Sequence, residues 1–188
     1  VGAGDYQFKD QNEDGQINEE DKKKIGSPYP DFTMGFTGDF SYKGFDLNLF
    51  LYWSYGNEIF NTLKVFTETP YEQTNMNSYM LEDAWRPNNT SGTIAQLGGN
   101  RANNYSRAST AFIENGNFLR FKNISLGYTI PEKISRIAQI EKLRFYVALQ
   151  NYFTISKYSG RDPELGGGVF VQKNDMGNYT VPKTLNFG

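Results

Sequence analysis

No cysteine and no histidine occur anywhere in the 188 residues. Without cysteine there can be no disulfide and no thiolate metal ligand. Without histidine there is no Ser-His-Asp triad, no imidazole-bound metal and no use of the commonest general base. Long apolar runs are missing too. Mean hydropathy is −0.62, and no stretch approaches the roughly 20 apolar residues of a transmembrane helix. That does not exclude a transmembrane barrel, whose strands alternate between lipid and lumen and so average to a polar value. Nor is there a basic excess: 19 Lys and Arg against 21 Asp and Glu leave a net charge of −2. Nothing here points to nucleic acid. The expectation is a protein that is not an enzyme.

What the chain does hold is aromatic and glycine-rich, with 13 Tyr, 15 Phe and 19 Gly. Such a composition favours strands and turns, and the length suits one domain. The clearest pattern lies at 32–55. Phe32, Met34, Phe36, Phe40 and Tyr42 alternate with Thr33, Gly35, Thr37, Asp39 and Ser41. After Lys43-Gly44 the apolar phase resumes at Phe45, Leu47, Leu49, Leu51, Trp53 and Tyr55. Two such runs about a tight glycine turn predict a β-hairpin. A second hairpin is expected over 118–155. Its first strand, Phe118 to Thr129, slips phase near Lys122-Asn123, which predicts a bulge. Its second, Leu143 to Ile155, puts Leu143, Phe145, Val147, Leu149, Phe153 and Ile155 on one face. Between them, 132–142 reads as a short charged connection with a turn or two of helix through Ile134, Ile137 and Ile140.

Residues 56–117 read as a long irregular loop, with a short helix between Glu72 and Trp85 that ends before Pro87. Residues 156–181 form another loop, and 182–188 a partial last strand. Connections thus run short, long, short, long, as in outer-membrane barrels with short periplasmic turns and long outer loops. Soluble antiparallel sandwiches alternate as well, but their strands typically run about 5–6 residues. The eleven-residue run of 32–42 matches the roughly 9–11 residues of a tilted membrane strand. The fold class expected is all-β: an antiparallel up-and-down sheet, part of a large transmembrane β-barrel, with at most short helices.

Near the start, within 5–26, Asp10, Asn12, Asp14, Gly15, Gln16, Ile17 and Asp21 follow the pattern of an EF-hand calcium loop. Oxygen donors at loop positions 1, 3 and 5 (Asp10, Asn12, Asp14) can converge on a hard cation. Gly15 permits the sharp turn, the Gln16 carbonyl supplies position 7, and Asp21 stands at position 12. Asp21 is shorter than the usual glutamate, so looser coordination is expected, with affinity on the order of 10⁻⁴ to 10⁻³ M. The role predicted is a structural Ca²⁺ clip; the alternative is a metal-free turn of ordinary Asn/Asp/Gly composition.

Other candidates carry less. Glu82-Asp83 and Asp162-Pro163-Glu164 are the nearest approach to paired carboxylates and read as solvated loop charge. Gly166-Gly167-Gly168 has no phosphate-loop context. Loop aromatics (Tyr71, Tyr79, Trp85, Tyr105, Tyr158, Tyr179) could stack on sugars but more simply pack the loops. Asn104-Tyr105-Ser106 is an Asn-x-Ser match expected from composition alone.

The order of these motifs resembles the C-terminal barrel region of SusC/RagA-type TonB-dependent outer-membrane transporters. The likeness rests on Gly4-Asp5 before the acidic loop, Ile25-Gly26-Ser27-Pro28-Tyr29-Pro30-Asp31-Phe32, Tyr42-Lys43-Gly44-Phe45, and Ser54-Tyr55-Gly56-Asn57-Glu58-Ile59-Phe60-Asn61. It continues through Glu114-Asn115-Gly116-Asn117-Phe118-Leu119-Arg120-Phe121, Ser159-Gly160-Arg161-Asp162-Pro163-Glu164 and Val181-Pro182-Lys183-Thr184. The resemblance implies a parent barrel with an N-terminal plug in the outer membrane of a Gram-negative cell. It also implies a SusD-type lipoprotein cap, energy from the TonB complex acting through the parent's N-terminal region, and oligosaccharides or peptides as cargo. The opening Val1-Gly2 and the closing Asn186-Phe187-Gly188 fit a piece of barrel wall, 1–188, that lacks plug and early strands. The alternative is a soluble, calcium-braced, β-rich glycan-binding module.

Overall fold

A computed structural model describes residues 2–68, 75–97, 108–165 and 173–188. Its centre is one antiparallel sheet of β1 (Phe32–Tyr42), β2 (Phe45–Tyr55), β5 (Phe118–Thr129), β6 (Arg144–Ser156) and β7 (Thr184–Phe187), in that spatial order. Every neighbour follows its predecessor along the chain among these long strands, so the sheet is up-and-down and open at β1 and β7. The β1–β2 turn is tight because Lys43 and Gly44 both take positive φ, 46° and 87°. This is the turn hand that matches strand twist.

Register makes the alternation physical. Phe36 pairs with Leu51 and Phe40 with Leu47; Leu47 pairs with Leu126 and Leu49 with Ile124; Leu126 pairs with Val147 and Val147 with Phe187. One face of five strands is therefore continuously apolar. It is also uncovered: Phe36, Phe40, Phe153 and Ile155 are all at least half exposed. The other face carries Thr37, Asp39, Asn48, Asn123, Ser125 and Arg120. Asp39 accepts from Asn48 Nδ2 at 2.6 Å and Asn48 accepts from Asn123 Nδ2 at 2.7 Å, a polar ladder across three strands.

The phase slip at Lys122-Asn123 is a bulge that widens across the sheet. Between matched outward positions β2 advances from Leu49 to Leu51, β5 from Phe121 to Ile124, and β6 from Leu149 to Phe153. The extra residues keep apolar side chains outward above and below the step, while Asn151 absorbs the kink at φ 54°.

The sequence reading missed structure in 56–117. β3 (Glu58–Phe60) pairs with β4 (Ile113–Asn115), and α1 covers Thr62–Glu68. Three-residue strands are too short to show alternation. The start of α1 had a readable signal, because Asn61 Oδ1 accepts from the Lys64 amide at 2.9 Å as an N-cap. Gly116 is required where β4 turns into β5: a Cβ there would lie 2.1 Å from Asn57 Nδ2. Of the helix expected between Glu72 and Trp85, α2 holds only Met80–Asp83, and 69–74 lie outside the described residues. The connection 132–142 forms α3 (Glu132–Ser135) and a 3-10 turn (Arg136–Ala138). No helix among the described residues is long and apolar enough to cross a membrane.

Buried apolar side chains gather where the long connections meet. Ile59, Met80, Ala84, Ile94, Ala95, Phe112 and Tyr158 lie in those connections, and Phe118 opens β5. The molecule thus has a packed end, an open polar face and an open apolar face.

Candidate functional site

The polar face of β5 meets the 157–165 connection through buried charge. Arg120 is only 3% exposed. Its Nη2 donates to Asp162 at 2.5 Å, its Nη1 to Glu164 at 2.5 Å, and its Nε to Thr154 Oγ1 at 2.8 Å. Lys122 donates to both Glu164 oxygens, at 2.5 and 2.7 Å. Two cations and two carboxylates form a neutral square. Burial pushes the Asp162 carboxyl up, but Arg120 and the amides of Glu164 and Val181 outweigh it and hold it below the usual carboxylate range. Lys173 donates to the Pro163 carbonyl at 3.0 Å; its burial depresses the ammonium despite the nearby carboxylates.

This overturns the expectation that Asp162-Pro163-Glu164 is solvated loop charge. Asp162 is 6% exposed because a strand cation reaches it. The signal available in sequence was Arg120 and Lys122, two cations on the polar phase of one strand.

A second knot lies beside it. Tyr158 donates to Asp175 at 2.6 Å, and burial plus that carboxylate push its phenol well above the ordinary value. Glu114 accepts from the Ser159 amide, the Ser159 hydroxyl and Asn61 Nδ2. Burial would raise its carboxyl; these bonds and Lys64 hold it low. Tyr79 donates to Glu68 and is pushed up to about 12 by burial and that acceptor. So Tyr158 packs and bonds within the loops, Tyr79 bonds to Glu68 while the residue stays 42% exposed, and Trp85 lies against Gly4, whereas Tyr179 is fully exposed. Tyr71, Tyr105, the Asn104 to Ser106 match and the Gly166 to Gly168 tip lie outside the described residues.

The acidic loop is closed by its own backbone. Asp10 accepts from the Glu13 and Gly15 amides, each at 2.7 Å, and Asp14 from the Gln16 amide at 2.7 Å. Asp21 accepts from the Gln11 and Asn18 amides, each at 2.7 Å, and these two bonds lower its carboxyl pKa. Asn12 turns its amide nitrogen to Asp14 at 3.2 Å and to Glu20 at 3.1 Å. Asp10, Asn12, Asp14 and Asp21 are thus folded into one turn. Among the described residues no three acidic side chains already stand as a ready metal cage.

Chemically, the arrangement offers a wall with one greasy and one wet side and connections tied by buried ion pairs and hydrogen bonds at one end. Comparison with known proteins agrees. None of the protein-family models matches the chain. Over 157 residues it is 38% identical to the TonB-dependent receptor P3 of Formosa agariphila, covering 84% of this chain and 15% of that protein. It is 33% identical over 169 residues to the TonB-dependent receptor SusC of Bacteroides thetaiotaomicron, covering 86% of this chain and 16% of that protein. Among solved structures it matches the RagAB peptide importer in its open-open state with a TM-score of 0.70 and 30% identity, over 85% of this chain and 17% of that one. The chain therefore spans less than a fifth of the length of these relatives. By sequence and by fold, it belongs to the SusC/RagA type of TonB-dependent receptor and corresponds to a segment of the β-barrel.

Proposed function

We propose that the chain serves as barrel wall in an outer-membrane importer of oligosaccharides or peptides. In this reading the importer works with a SusD-type lipoprotein and draws energy through TonB. The observation that carries it is the sheet itself: five strands with one apolar face open to the surroundings and one polar face. A soluble glycan-binding sandwich would need a second sheet over the apolar face, and none of the described residues supplies one. That a matched structure is the RagAB peptide importer supports peptide as cargo, and that the relatives are TonB-dependent receptors supports the energy source.

The lack of cysteine in this segment makes the test direct. Single cysteines are placed at Leu47 and Leu49 (apolar face) and at Thr37 and Ser125 (polar face) of the complete transporter in intact outer membranes. A charged, membrane-impermeant maleimide should label the second pair and spare the first. Equal labelling of both pairs would remove the barrel assignment.

The acidic loop is assigned the structural Ca²⁺ site, held by Asp10, Asn12, Asp14, the Gln16 carbonyl and Asp21. Support comes from an all-oxygen donor set on a single turn, in which Glu13 and Gly15 take positive φ of 63° and 80°. Hard oxygen donors suit Ca²⁺. Terbium luminescence excited through nearby tyrosine should appear in the transporter, be displaced by calcium, and be lost in Asp14→Ala. An unchanged signal in the variant would refute the site.

A further inference from the structure

The short connection between β5 and β6 carries three exposed isoleucines. Ile134 is 58% exposed, Ile137 83% and Ile140 39%. Ser135, in the same turn, is buried instead, so the turn is held in place while these isoleucines remain open to the surroundings. A solvent-facing turn has no need of three branched aliphatic side chains, and water gains nothing from them.

Two further observations say what covers them. The first is position. The connection follows β5 after only Ile130 and Pro131, and Tyr128, next to the end of β5, packs on Phe45 with ring centroids 4.5 Å apart. Tyr42, Phe45 and Phe145, all more than half exposed, complete an aromatic rim there. Rims of this kind mark the edge of the hydrocarbon region in transmembrane barrels, so the connection that carries the isoleucines lies just past the border of the apolar face. The second is charge. Lys133, Arg136 and Lys142 flank the isoleucines against Glu132 and Glu141, a local excess of one positive charge. Arg136 and Glu132 pair at 3.1 Å but stay about three-quarters exposed, leaving the guanidinium accessible to a phosphate.

We propose that the 132–142 connection is an interfacial anchor: its isoleucines enter the headgroup and upper acyl region of the phospholipid leaflet at the short-turn end, and its cations meet lipid phosphates. Apolar side chains flanked by Lys and Arg are what peripheral membrane segments use. The inference rests on the barrel reading above.

The test uses the complete transporter in lipid nanodiscs containing phosphatidylglycerol. An environment-sensitive fluorophore is attached at Ile137→Cys and, in separate proteins, at Leu49→Cys and Thr37→Cys. Nitroxide lipids carry the quencher either near the headgroup or at the end of the acyl chain. Shallow nitroxide should roughly halve emission at 137, as expected of an interfacial segment seated about 5–10 Å deep, while the chain-end nitroxide leaves it nearly unchanged. Quenching at 49 but none at 137 overturns the anchor alone, whether that site proves wet or covered by protein. Loss of quenching at 49 overturns the barrel reading itself. Lys133→Glu with Arg136→Glu should weaken quenching at 137; an unaltered value would remove the phosphate contacts.

Discussion

Arg120 holds a full charge where almost no solvent reaches, and its neighbours decide what that costs. Buried ion pairs add little net stability against an apolar replacement, but removing one partner strands the other. Arg120→Met should therefore cost about 3–5 kcal/mol, concentrated in the 157–165 connection. Hydrogen exchange of the transporter would show it as faster amide exchange across those residues, and unchanged protection would contradict the brace. The same residues set a pH limit. Asp162 and Glu114 are held below their ordinary range in the folded state. Their contribution is complete above the unfolded carboxylate value and is lost as pH falls through the lower, folded one. The connection should resist pepsin near pH 5 and yield only below about pH 4. Tyr158 works in the opposite sense: its phenol is raised, so its contribution is complete below about pH 10 and is lost only at higher, strongly alkaline pH.

Strands translate residue choice into sidedness. Leu49 sits mid-way along β2 on the apolar face, paired with Ile124, whereas Ser125 is one step away on the polar face. Leu49→Lys should cost about 2–4 kcal/mol at the bilayer midplane, and Ser125→Lys little. Urea unfolding of the transporter in lipid vesicles would separate the two. Similar losses for both would mean that the faces are not distinguished by lipid. Deleting Lys122 is the sharper change. It removes the bulge residue between Phe121 and Asn123, so Ile124, Leu126 and Tyr128 would turn inward. Heat-modifiable, folded barrel should then disappear from outer membranes.

The whole sheet has two unpaired edges, β1 and β7, and an uncovered apolar face. Neither is tolerated in isolation: open edges invite pairing with other chains, and hydrocarbon admits only closed barrels. The isolated chain of 21.4 kDa should accordingly associate in detergent-free buffer. Light scattering giving a monomer mass would show that some other packing hides the face. In the proposed barrel the same edges would meet neighbouring strands, and the face would meet lipid.

Much of this architecture was legible because period-two alternation is local. Phe32 to Tyr55 declared two strands, a turn and two faces from residue type alone, and the slip at Lys122-Asn123 marked a bulge. These features depend on neighbours one or two residues apart, so sequence by itself determined them. It could not place Asp162 beside Arg120, 42 residues away, or Glu114 beside Ser159, 45 residues away. Nor could it show that β3 and β4 close a loop with pairs of three residues each. Those contacts depend on how the connections fold back over the strand ends, where burial converts an ordinary loop carboxylate into a fixed ionic brace, and only the tertiary structure decided that.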